Sequence, residues 1–239
     1  MGGGGYVTVS VDDGSQHDLR TADLLTEHGL RATFYVPAES PRELTPAQIR
    51  TLDEGFEVGS HSFNHVDLTT VPTDVAEREV RDGKAWLEDV LGHNISAFAY
   101  PFGAFNSAIA SLVASTGFLC ARTCLLNRVD APDDPFRLGM TTDAYDHSRR
   151  TQFVAGVRAR NFGGLRNYVL TYRLVRDWET HFQRALDVVG AGGGVAHLVV
   201  HSDMIERNDA WAKLDRVLSA TTAAPLKPLT NTEVLTSVP

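Results

Sequence analysis

Asp12-Asp13-Gly14 sets two carboxylates side by side. Adjacent like charges repel unless a cation or a proton separates them, so the pair points to a compensated site or to an ordinary Asp-Gly turn. His61 and His65 stand four residues apart, a spacing that puts both imidazoles on one face of a helical turn and within reach of one ion. Neutral imidazole suits Zn²⁺ and similar metals, although such a pair is also common as plain surface or core histidine. Two histidines and one carboxylate leave coordination positions open, as a catalytic metal requires. Pro101-Phe102-Gly103 reads as a tight turn, or as a rigid loop that aims a backbone N–H at a developing oxyanion. His201 closes an apolar run, where a histidine serves either as a general acid or as a satisfied structural residue.

These groups need elements to bring them together. β-branched and apolar runs predict strands at residues 6–11, 32–36, 56–59, 95–100, 118–122 and 195–200. Between them lie helical patterns at residues 18–28, 46–54, 73–91 and 106–116, the third capped by Thr73 or Asp74. Residues 128–172 read as a long connection with one short helix over 151–158. Trp178, Phe182, Leu186 and Val189 mark a helix, and Trp211, Leu214, Val217 and Leu218 a last long one. Alternating strands and helices imply α/β architecture with a parallel sheet, most simply a barrel. The four chemical motifs each follow a strand, the end at which parallel α/β folds gather reactive groups.

The composition fits one globular unit. Of 239 residues, 43% are apolar and 22% charged, which excludes disorder as a description of the whole chain. Residues 1–5 read as a flexible lead and residues 6–239 as a single domain. A formal net charge of −8 argues against nucleic-acid and anionic-membrane partners for the chain as a whole. No signal peptide is visible, so a cytoplasmic location is the expectation. Cys120 and Cys124, without a second pair, read as reduced thiols. The arginines from Arg149 to Arg176 read as a solvated face, or as a contact for an anionic substrate or subunit.

The order of the motifs resembles the NodB-homology polysaccharide deacetylases, carbohydrate esterase family four. Ser10-Val11-Asp12-Asp13-Gly14 resembles the first motif, His61 to His65 the second, and Phe98-Ala99-Tyr100-Pro101-Phe102-Gly103 a variant of the third. Arg31 to Val36 resembles the segment between the first two. His197-Leu198-Val199-Val200-His201-Ser202 is similar to a bacterial form of the last motif. The resemblance implies an incomplete or distorted (β/α) barrel around one divalent ion, Zn²⁺ first, with Co²⁺, Ni²⁺ and Mn²⁺ as alternatives. It implies Asp13, His61 and His65 as metal ligands, Asp12 as general base, Phe102 N–H at the oxyanion and His201 as general acid. The implied reaction is N-deacetylation of an acetylated amino sugar or glycan.

Two positions depart from the family pattern. Ala99 stands where members commonly carry an arginine that orients the base; Arg122, at the next strand end, is the candidate replacement. The aspartate that orients the last histidine is matched best by type by Asp177 beside Trp178, although an aspartate at a helix start is the stronger reading there, with Asp143 and Asp146 as further candidates. Two other readings compete with the deacetylase. One is a metal-independent amidohydrolase of cyclic amides; the other is a degenerate barrel that binds glycan without catalysis.

Overall fold

The computed structural model describes residues 4–39 and 42–237. Its elements run β1 (Gly5–Asp12), α1 (Asp18–Glu27), β2 (Thr33–Val36), α2 (Pro46–Asp53), β3 (Glu57–Ser60), α3 (Thr73–Leu91), β4 (Ala97–Ala99), α4 (Ser107–Ser115) and β5 (Cys120–Arg122). They continue β6 (Thr142–Asp143), α5 (Arg149–Arg158), α6 (Phe162–Leu170), α7 (Trp178–Gly192), β7 (Gly194–Val200), α8 (Ser202–Arg207), α9 (Trp211–Ala223), β8 (Lys227–Leu229) and α10 (Asn231–Ser237). Of the expected lead at residues 1–5, residues 1–3 lie outside the described residues, and Gly5 already pairs with Gly194 in the sheet.

All strand pairs are parallel, in the order β5-β4-β3-β2-β1-β7-β6, with β8 added on β1. β1 is the axis of the sheet. β7 follows it from Gly5 to Val11, while β8 takes Tyr6–Thr8 and β2 takes Ser10–Asp12. The last two share one edge, so β1 and β2 are splayed at the lower end and β8 fills the gap. The two ends of the sheet are spanned by one stretch of chain. Leu138 bridges to Arg122 on β5, and Thr142 and Asp143 pair with β7. The result is the distorted, incomplete barrel that the motif order implies.

Period-two alternation sorts each strand's side chains. Val7, Val9 and Val11 of β1 join the large cluster beneath the helices, with Phe34, Phe98, Leu198 and Val200. The opposite set points into the barrel: Thr8, Ser10 and Asp12 from β1, and Tyr35, Ala97, Ala99 and Cys120, which pack on Leu138. Both sets are buried. At roughly 25 cal/mol per Å² of apolar area, the helix-side layer carries most of the burial energy, and the interior holds polar groups beside a small apolar cluster.

Local signals set most boundaries. Thr45 and Gln48 form a capping box ahead of Pro46 at the start of α2, and Asn106 accepts from the Ile109 amide at the start of α4. α3 begins at the expected place, yet its cap residue is Pro72 rather than Thr73 or Asp74. α9 is the last long helix, as expected, and only the short β8 and α10 follow it. The stretch from Arg128 to Tyr172 holds β6 and a helical pair, α5 and α6, where a single short helix is predicted.

Candidate active site

β1 ends by turning sharply. Asp13 has φ 79° and Gly14 φ 66°, so the chain reverses directly after Asp12. Asp12 points into the barrel, and its Oδ2 accepts from the Arg122 guanidinium. Both side chains are almost fully buried. His201 Nε2 lies 3.8 Å from the same oxygen. Burial alone raises the Asp12 carboxyl, but Arg122, with His61 and His201, outweighs it and holds the group down at about 2. Arg122 is itself pushed further up: burial lowers it and the Asp12 carboxylate more than compensates. Its guanidinium also lies over the Tyr35 ring, 5.4 Å from the centroid.

The two histidines meet, though not on a helical turn. Residues 61–65 form an irregular loop, with φ 66° at Ser62 and 54° at His65, which corrects the helical reading of their spacing. His61 Nε2 and His65 Nε2 are 3.2 Å apart. Asp13 Oδ1 lies 3.3 Å from the His65 nitrogen and 3.7 Å from that of His61. His61 Nδ1 donates to the Ala99 carbonyl at 2.8 Å, which fixes the tautomer and turns the Nε2 lone pair toward Asp13 and His65. Burial holds His61 down at about 4 and shifts His65 in the same direction, so both rings are neutral near pH 7 and able to ligate.

Among the described residues, Asp13, His61 and His65 form the group whose ligand atoms all lie within 4.8 Å of one another. Asp13 Oδ1 is buried and accepts no hydrogen bond. A carboxylate oxygen and two imidazole lone pairs converging on one point fit a divalent cation of the Zn²⁺ class.

The other predicted residues divide. Phe102 has φ 57° in a short 3₁₀ turn whose Gly103 and Ala104 amides close on Tyr100 and Pro101; its exposed ring packs on His65 at 4.7 Å. His201 follows β7, and its ring meets Tyr145 edge-on at 6.1 Å. Asp177 is not its orienting partner. That carboxylate caps α7 through the Thr180 amide and pairs with Lys213. Asp146 accepts from the Trp178 amide, and Asp143 from His147. His201 Nδ1 is buried without a partner.

A family model described as polysaccharide deacetylase matches residues 2–121. The chain belongs to the polysaccharide deacetylase family. Among curated relatives, a peptidoglycan-N-acetylglucosamine deacetylase of Listeria monocytogenes is 29% identical over 106 residues, 44% of this chain and 23% of the relative. The chain thus spans about a quarter of that relative's length. Among solved structures, the family 4 carbohydrate esterase domain of a xylanase from the hindgut metagenome of Trinervitermes trinervoides superposes with TM-score 0.62 at 14% identity, over 98% of this chain and 90% of that one. A family 4 pseudoenzyme from Bacillus anthracis reaches 0.64 at 15% identity, over 97% and 66%. At such identities the likeness is one of fold.

This family member positions its loops with residues that sequence reasoning missed. Glu79 of α3 is buried and accepts from the Phe63 and Asn64 amides and from the Asn64 side chain. Gly83, one helical turn on, lets α3 approach so closely that a Cβ there would lie 2.6 Å from the Ser62 carbonyl carbon. A Glu and a Gly four residues apart in the helix expected over 73–91 were the only signal in the sequence. Gly103 does the same against Cys124. The Cys120 and Cys124 thiols are both free, and burial pushes each up to about 12, in accord with reduced, protonated thiols.

Proposed function

We propose that the protein is a metal-dependent N-deacetylase of an acetylated amino sugar or glycan. The observation that carries the proposal is the convergence of Asp13, His61 and His65 beside the buried Asp12–Arg122 pair. Asp13 and the two imidazoles would hold the cation. When bound there, a divalent cation makes water more acidic and polarises an acyl oxygen.

The chain's own groups divide the remaining work. Asp12, ionised at neutral pH, takes a proton from the attacking water. A carboxylate held as low as about 2 is a useful base only toward water of raised acidity, so its environment and the ligand cluster support one another. Arg122 keeps Asp12 charged and in place. The Phe102 amide donates to the tetrahedral oxyanion. His201, 3.8 Å from Asp12, protonates the departing amine. The products are acetate and a free amino sugar.

The name of the Listeria relative supports an N-acetylglucosamine-containing substrate. The complete donor set favours this reading over the metal-independent and the non-catalytic ones. Acetate release from N-acetylglucosamine oligomers tests it: turnover by the intact protein and its loss in Asp12→Asn are expected, and no turnover on any acetylated sugar contradicts it.

A further inference from the structure

The helical pair α5–α6 is built with its polarity reversed. A surface helix normally turns its apolar stripe inward. Here the inward positions carry Gln152, Gly156, Asn161, Gly164, Asn167 and Tyr168. The polar ones are tied to the neighbouring segment. Asn127 Nδ2 donates to Gln152 Oε1, Asn161 Nδ2 to the Leu126 carbonyl, and Asn167 Nδ2 to the Asn127 carbonyl. The apolar side chains face solvent instead. Six of the nine large exposed hydrophobics among the described residues belong to these two helices, and Phe162 and Leu170 are 66% and 65% exposed.

Charge is segregated onto the same segment. Residues 149–176 hold seven of the chain's 22 basic residues, all arginine, while all 30 acidic residues lie elsewhere. All seven are exposed. The acids that flank the segment are otherwise engaged, Asp146 with the Trp178 amide and Asp177 with Lys213. Along α5 the exposed stripe runs Arg150, Phe153, Val154, Val157 and Arg158, apolar in the middle and cationic at its ends.

We propose that this face docks on an anionic phospholipid surface. Arginines meet the headgroups while Phe162, Leu170 and Val157 enter the interface. A soluble polyanion would use the arginines but leave the aromatic and aliphatic side chains in water. A second copy docked face to face would set one arginine cluster against another. The remaining large exposed hydrophobics, Phe102, Leu119 and Val188, stand on separate elements and offer no complementary apolar patch. No helix among the described residues is long and apolar enough to cross a membrane, so the contact proposed is with the surface of the bilayer through this face. The net charge of −8, which argues against a membrane for the chain as a whole, averages this segment away.

Sedimentation of the full chain with vesicles tests the proposal. The vesicles are phosphatidylcholine alone or phosphatidylcholine with 30% phosphatidylglycerol, at low and high salt. Binding only to anionic vesicles, weakened by salt, is expected. The triple variant Arg150→Gln, Arg158→Gln, Arg166→Gln should bind about a hundredfold more weakly, from the usual contribution of each basic residue near such a surface. Phe162→Ser with Leu170→Ser should also weaken binding at unchanged charge, and circular dichroism checks that both variants are folded. Equal binding to both vesicle types, no binding to either, or undiminished binding by the folded variants overturns the proposal. A concentration-dependent dimer lost in Phe162→Ser with Leu170→Ser, without vesicle binding, overturns it in favour of self-association.

Discussion

Ala99 and Arg122 are register partners on the neighbouring parallel strands β4 and β5. The guanidinium therefore starts one strand further round the barrel than the family pattern has it, and lies over the Tyr35 ring as it reaches Asp12. Exchange of position between adjacent strands keeps the same ion pair because side chains in register point the same way.

Arg122→Ala should lower kcat at least a hundredfold and destabilise the fold by about 3–5 kcal/mol, the usual consequence of leaving one buried charge unpaired. Turnover and urea unfolding measure the two effects. Unchanged turnover would remove Arg122 from the account.

Glu79→Gln should weaken Zn²⁺ binding by about 10–100-fold without touching a ligand, because Glu79 holds the Phe63 and Asn64 amides of the ligand loop. Gly83→Ala should do the same by displacing Ser62. Calorimetric titration of the metal-free protein is the measurement, and affinities equal to that of the unmodified chain would show that the loop holds its own shape.

Replacing His201 with Gln should lower kcat by about 10²–10⁴-fold while Zn²⁺ affinity stays constant. A proportionate loss of metal would instead make His201 part of the binding cluster.

Stability should fall in mild acid. Burial holds His197 and His181 down at about 3, well below the ordinary histidine value near 6.5. The unfolded chain therefore binds more protons between those values. The stabilisation is complete above pH 6.5 and is lost as pH falls toward 3. Each histidine contributes up to about 2 kcal/mol of loss at pH 5. Urea midpoints at pH 7.5 and pH 5 check this. His181→Phe, which keeps a ring beside Tyr172, should shrink the difference, and an unaltered difference would exclude His181 as a source.

Strand positions and strand-end motifs were legible because β-branched runs alternate with amphipathic helices over most of the chain. Arg122 could be singled out because it ends a strand next to the one that lacks an arginine. The loop geometry of His61 and His65 could not. Four-residue spacing is the same in a helix and in this loop, and what selects the loop is a tertiary contact with Glu79 and Gly83 on α3. Asp177 stayed open to both readings because a helix-capping aspartate before a tryptophan has the same local signature as an orienting acid, and the structure shows the cap. α5 was expected over 151–158, but its partner α6 escaped detection for a different reason. Periodicity assumes that apolar positions face inward, and there they face out.

The most direct test of the central claim is acetate release from N-acetylglucosamine oligomers by one preparation, before chelation, after chelation and after Zn²⁺ is restored, with bound metal measured at each step. Near-stoichiometric metal, activity lost with it and regained on its return, and neither property retained in His61→Ala are the expected results. Acetate release that persists in the metal-free protein would contradict the account, as would bound metal without any acetate release.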